Sequence, residues 1–108
     1  MNIIYYFSGS GNSYTLAKKL AAALDAQLKS IANYVQHPED IEADLVGIVA
    51  PVYCLDLPPI VVRFLEGIRL KNSPYLFYVA NMGVMAGGSL GHAQAILAGR
   101  GLKLAAGF

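Results

Sequence analysis

NIIYYFSGSGNS (Asn2 to Ser13) changes character halfway along. Asn2 to Phe7 is a short apolar run rich in β-branched and aromatic side chains, the composition of a buried strand. Ser8-Gly9-Ser10-Gly11 ends that run as a turn. From Asn12 to Asp25, Leu16, Leu20 and Leu24 recur every four positions with Ala17 and Ala21 beside them, while Lys18, Lys19 and Asp25 take other faces. That spacing predicts a helix. A strand, a glycine turn and a helix in this order open a parallel α/β unit.

The rest of the chain repeats the alternation. Gln27 to Ile31 reads as a brief second strand, and the polar stretch Asn33 to Asp44 as a linker with at most a helical turn, opened by Pro38. Leu45 to Val52 is apolar without alternation, as a central parallel strand covered on both faces should be. The loop Tyr53 to Pro58 follows. Pro59 suits the first turn of a helix, and Val61, Phe64, Leu65 and Ile68 carry its periodicity. Tyr75 to Ala80 is a fourth strand, Asn81 to Gly88 a glycine-rich loop and Ser89 to Ala98 a helix closed by Gly99 and Gly101. Leu102 to Phe108 begins a fifth strand. The expected architecture is α/β, a doubly wound parallel five-stranded sheet with right-handed crossovers.

Composition bounds what such a domain does. The chain has 108 residues, 56% apolar and 14% charged, which fits one domain spanning 1–108 with a substantial core and excludes a disordered chain. Eight basic and seven acidic residues give a net charge of +1, and no basic cluster exceeds Lys18-Lys19, which argues against nucleic acid as a partner. Cys54 is the single cysteine, and His37 and His92 lie in unrelated segments, so no disulfide, zinc or iron-sulfur site is expected. The N-terminus has neither the positive start nor the cleavage site of a secretory signal, and the cytoplasm is the expected compartment. Asn72 to Gly99 carries no charge, yet Pro74, Asn81, His92, Gln94 and its glycines interrupt it, so no membrane span is expected.

In doubly wound sheets ligands bind beyond the carboxyl ends of the strands. Three loops leave such ends here. Ser8-Gly9-Ser10-Gly11-Asn12-Ser13 sets hydroxyls, an amide and glycines before a helix N-terminus, either an anion cradle of neutral donors or a tight turn with an ordinary cap. It lacks the GxxxxGK[ST] pattern of a triphosphate loop and the cysteine and arginine of a phosphotyrosine phosphatase, so a monophosphate suits it better. In Tyr53 to Pro58, Tyr53 can stack on a flat ring or pack against a helix, and Cys54 reads as a buried or pocket-lining thiol rather than a nucleophile. Asn81 to Gly88 offers free backbone amides with Met82 and Met85 to pack on a heterocycle, or simply a loop before a helix. His92 reads as a solvent-facing or capped histidine.

Together YYFSGSGNS (Tyr5 to Ser13), PVYCLDLPPIVVRFL (Pro51 to Leu65) and NMGVMAGGSL (Asn81 to Leu90) resemble flavodoxin-like FMN-binding domains. In particular they resemble the domain fused ahead of a ferredoxin-type iron-sulfur domain. The resemblance implies strand order 2-1-3-4-5 and FMN as cofactor. It implies that Ser8, Ser10, Gly11, Asn12 and Ser13 bind the phosphate, that Pro51, Val52, Tyr53 and Cys54 line the ribityl chain and ring, and that Asn81, Met82 and Gly83 meet the pyrimidine edge. No residue is required as a catalytic acid or base, and no metal ligand is implied. The chain departs from the family in carrying Met82 where a second stacking aromatic is frequent, and in having no glycine in the 53–58 loop. It also ends at Phe108, before the usual final helix, which implies a C-terminally truncated domain. The expected role is electron transfer to a redox partner protein such as an iron-sulfur ferredoxin domain. The alternatives are an NAD(P)H-dependent FMN or quinone reductase of the same fold, or a truncated module that no longer binds flavin. The sheet face left open by the missing helix is expected to be covered in a homodimer, unless the chain is the N-terminal piece of a longer polypeptide.

Overall fold

The computed structural model describes residues 1–8, 12–51, 57–81 and 89–108, apart from the side chains of residues 12, 81, 89 and 90. Its elements follow in the order β1 (Asn2–Tyr6), α1 (Asn12–Ala23), β2 (Gln27–Ser30), α2 (Ile31–Gln36), β3 (Asp40–Ile41), β4 (Leu45–Pro51), α3 (Pro59–Gly67), β5 (Arg69–Leu70), β6 (Tyr75–Asn81), α4 (Ser89–Ala98) and β7 (Ala106–Gly107). The main sheet has five strands in the order β2-β1-β4-β6-β7, every neighbouring pair parallel. This is the 2-1-3-4-5 arrangement expected of the five principal strands.

Alternation along the strands divides the core into two layers. Tyr5, Ile48 and Tyr78, aligned across three strands, face α2, α3 and α4. Ile4, Val49 and Phe77 face the other way, where Ala17 and Ala21 let α1 pack closely. On the first face Tyr5, Tyr34 and Phe64 form an aromatic cluster with ring centroids 5.0–5.6 Å apart.

Two short segments depart from the sequence reading. The six-residue helix α2 starts at Ile31, read as the end of the second strand, and runs into the stretch assigned as a linker, ending before Pro38 rather than being a turn opened by it. Ser30 caps this helix by accepting a hydrogen bond from the Asn33 amide at 3.2 Å, and Ile31 and Tyr34, three apart, bury its inner side. The same stretch supplies β3, which pairs with β5 in a separate two-stranded parallel ladder. Tyr34 holds that ladder against α2: its hydroxyl donates to the Glu39 carbonyl at 2.6 Å and accepts from the Arg69 amide at 3.1 Å. The last strand is also shorter than the expected Leu102 to Phe108. Gly101, at φ +74°, turns the chain back after α4, and Leu104 dips into the core, so ladder bonding starts only at the Ala105 amide.

Candidate functional site

Strand register builds the site. Tyr6 lies beside Val49 and Pro51 beside Asn81, so β1, β4 and β6 end next to one another at one edge of the sheet. The Phe7 amide continues the ladder past β1, donating to the Val49 carbonyl at 3.0 Å. From β1 the chain crosses to β2 on one side and then to β4 on the other, which makes the gap between β1 and β4 the topological switch point. Each of these strands leads along the chain into a helix, α1 at Asn12, α3 at Pro59 and α4 at Ser89.

The positive ends of these helices meet no acid in their own first turns. Ser13, in the first turn of α1, is 2% exposed, the sole buried polar residue besides tyrosines among the described residues. Ser8, half-buried, closes the strand on the other side of the same loop. Outside the β1–α1 loop, Tyr14 stacks edge-on against Tyr6 with centroids 5.1 Å apart, which fixes the first turn of α1 over the end of β1.

At the second loop Leu57 and Pro58 are buried, and the Pro58 carbonyl accepts from the Val61 and Val62 amides at 3.0 and 3.2 Å. With Pro59 in the first turn, this anchors the end of the loop rigidly. Pro51 ends β4 half-buried, where its missing N–H removes nothing from the ladder interior.

Of the residues singled out in the sequence, Ser8, Asn12, Ser13, Pro51 and Asn81 are brought to this one edge. Ser10, Gly11, Val52, Tyr53, Cys54, Met82 and Gly83 lie outside the described residues. His92 is half-buried on α4. The burial of Leu57 and Pro58 agrees with the proline pair before an apolar helical run as the signal of a fixed loop end. Tyr5, which no sequence signal singles out, has a buried hydroxyl with no hydrogen-bond partner among the described residues. Burial, reinforced by Tyr34 and Glu39, pushes its pKa well above the ordinary tyrosine value. No helix among the described residues is long and apolar enough to cross a membrane.

The family model for the flavodoxin domain matches residues 3–87, from the start of β1 through the loop after β6. The chain belongs to the flavodoxin domain family. No curated protein matches it. Among solved structures, this flavodoxin domain is similar to a protein from Bacteroides eggerthii designated a flavoprotein, at 22% identity and a TM-score of 0.76, covering 98% of this chain and 85% of that one. A second protein so designated, from Bacteroides uniformis, is 15% identical with a TM-score of 0.74, covering 98% of this chain and 86% of that one. The flavodoxin of Streptococcus pneumoniae is 13% identical with a TM-score of 0.68, covering 98% and 81%. At these identities the likeness is one of fold.

Proposed function

We propose that this flavodoxin domain binds FMN across the carboxyl edge of its sheet and serves as an electron carrier. The observation that carries the reading is that β1, β4 and β6 end side by side and each leads into a helix with no acid in its first turn, with Ser8 past β1 and Ser13 buried in the first turn of α1. Backbone amides and hydroxyls can hold a monophosphate there without a lysine or arginine. The two Bacteroides proteins designated flavoproteins and the S. pneumoniae flavodoxin share the fold and support a flavin as the ligand.

Bound FMN would supply the redox chemistry, taking up and releasing electrons at its ring. The protein's part is to bind and orient it. Ser8, Ser10, Gly11, Asn12 and Ser13 hold the phosphate. Pro51, Val52, Tyr53 and Cys54 line the ribityl chain and ring, and Asn81, Met82 and Gly83 meet the pyrimidine edge. Pro58 and Pro59 stiffen the base of the second loop, which reduces the ordering cost of closing it on a ring. Electrons then pass to a redox partner protein, an iron-sulfur ferredoxin domain being the kind implied by the sequence resemblance.

Titration of flavin fluorescence tests this reading. FMN is expected to bind at least about tenfold more tightly than riboflavin, which lacks the phosphate, a difference of about 1.4 kcal/mol. Ser10→Asp sets a carboxylate against that phosphate and should weaken FMN while leaving riboflavin unchanged. Equal affinities for the two flavins would remove the phosphate cradle from the account. Steady-state NAD(P)H consumption with a quinone would instead identify a reductase of the same fold.

A further inference from the structure

Tyr5 and Lys29 are register partners across β1 and β2, so both side chains leave the sheet on the face covered by α2. With Tyr34 of α2, and with His37 and Glu39 beyond it, they line a cavity of about 410 Å³. The cavity lies on the side of β1 away from the switch point, apart from the strand ends proposed for FMN. Its volume is that of a small-molecule site.

One atom in this cluster has no role within the fold. Tyr5 is 1% exposed and its hydroxyl has no partner among the described residues, whereas the Tyr34 hydroxyl, on a ring 5.6 Å away, both donates and accepts. Tyr34 and Glu39, the groups whose charges bear on the Tyr5 hydroxyl, also line the cavity, which sets that hydroxyl toward it. A buried donor without an acceptor weakens the fold, and an acceptor carried in by a ligand removes that cost.

We propose that this cavity binds a neutral aromatic amide, whose carbonyl oxygen accepts from the Tyr5 hydroxyl. Each part of that ligand answers a group in the wall. Burial keeps the phenol proton in place, so Tyr5 acts as a donor and calls for an acceptor. Lys29 Nζ and Glu39 Oε1 are 3.1 Å apart and compensate each other, so a charged ligand would have to compete with their pairing. A neutral one leaves it intact. The remaining lone pairs of the Glu39 carboxylate accept from the amide N–H of the ligand. The rings of Tyr5 and Tyr34, with planes at 80°, give an aromatic ligand both a face and an edge to pack on. The site rests on none of the residues proposed for FMN, so it stands or falls separately from the flavin reading.

Benzamide is the probe, followed through the backbone amide resonances of the labelled protein with and without FMN. A dissociation constant of about 1 mM is the scale expected for a ligand of this size. The largest shifts are expected at residue 5, residues 28–30 and residues 33–39. Tyr5→Phe removes the donor alone and should weaken benzamide about tenfold. Glu39→Ala, at an exposed position, should weaken it severalfold and supplies the readout if Tyr5→Phe fails to fold. Benzoate, whose charge meets Glu39, should bind at least about tenfold less tightly than benzamide. No saturation by about 10 mM overturns the proposal, as does displacement of benzamide by FMN, which would place it in the flavin site. Equal affinity in Tyr5→Phe also overturns it and leaves the hydroxyl to a bound water. Benzoate binding as tightly as benzamide would contradict the neutral class of ligand.

Discussion

Gly47 shows how tightly a single position is specified. On β4, facing α1, a Cβ there would run into the tip of the Phe77 ring and stand 2.7 Å from Ile4 Cδ1. The absence of a side chain lets Phe77 lie across the strand, and Phe77 in turn floors an apolar groove beside the leucines of α1. Gly47→Ala should cost about 1–3 kcal/mol through overpacking, read as a lower urea midpoint at unchanged slope. Tyr5 is the opposite case, a side chain carrying one atom too many. Its hydroxyl is buried without a partner among the described residues, so Tyr5→Phe should be neutral or stabilising by up to about 1 kcal/mol near neutral pH. The sign with pH follows from the raised pKa. The folded state holds the phenol proton more tightly than the unfolded chain does, so this group's contribution is complete below about pH 10 and is lost as the pH climbs above it. A Tyr5→Phe variant should therefore show a shallower alkaline limb in its unfolding midpoint than the parent protein.

Among the elements, α3 is tied down from outside its own segment. Arg100, just past α4, donates to the Leu65 carbonyl at 2.9 Å and to the Ile68 carbonyl at 2.6 Å, satisfying acceptors that the end of α3 leaves open. Arg100→Ala should lower stability by about 1.5–3 kcal/mol, with Arg100→Lys recovering only part because one ammonium reproduces the fork poorly. Thermal unfolding of the two variants checks this. No sequence pattern exposes such a link, since Arg100 and its acceptors are more than thirty positions apart. The long elements were legible for local reasons: leucines every four residues in α1, an unbroken apolar run in β4, a proline opening α3. α2 and the β3–β5 ladder were not, because what holds them is tertiary. Tyr34 bridges the Glu39 carbonyl and the Arg69 amide, and Asn72 pairs both of its amide atoms with the Ala43 backbone. In a polar stretch the bare sequence looks like a linker.

Across the whole molecule, the order of the sheet places the site. A switch point between β1 and β4, with each of β1, β4 and β6 leading along the chain into a helix, follows from alternating strands and helices and one reversal of direction. The reading of the glycine and serine loop after β1 as an anion cradle rests on local chemistry alone, and residues 9–11 lie outside the described residues. The buried environment of Ser13 was not legible, because it depends on packing between α1 and its neighbours. The central claim is that FMN sits at this edge with its phosphate at the start of α1. The most direct test is to follow the backbone amide resonances of the isotopically labelled protein during an FMN titration. The largest shifts are expected at residues 8–13, with further shifts near 51–59 and 81–89, and little change at Leu20, Tyr75 or Phe108. Shifts concentrated along the apolar groove, or none at the start of α1, would contradict it.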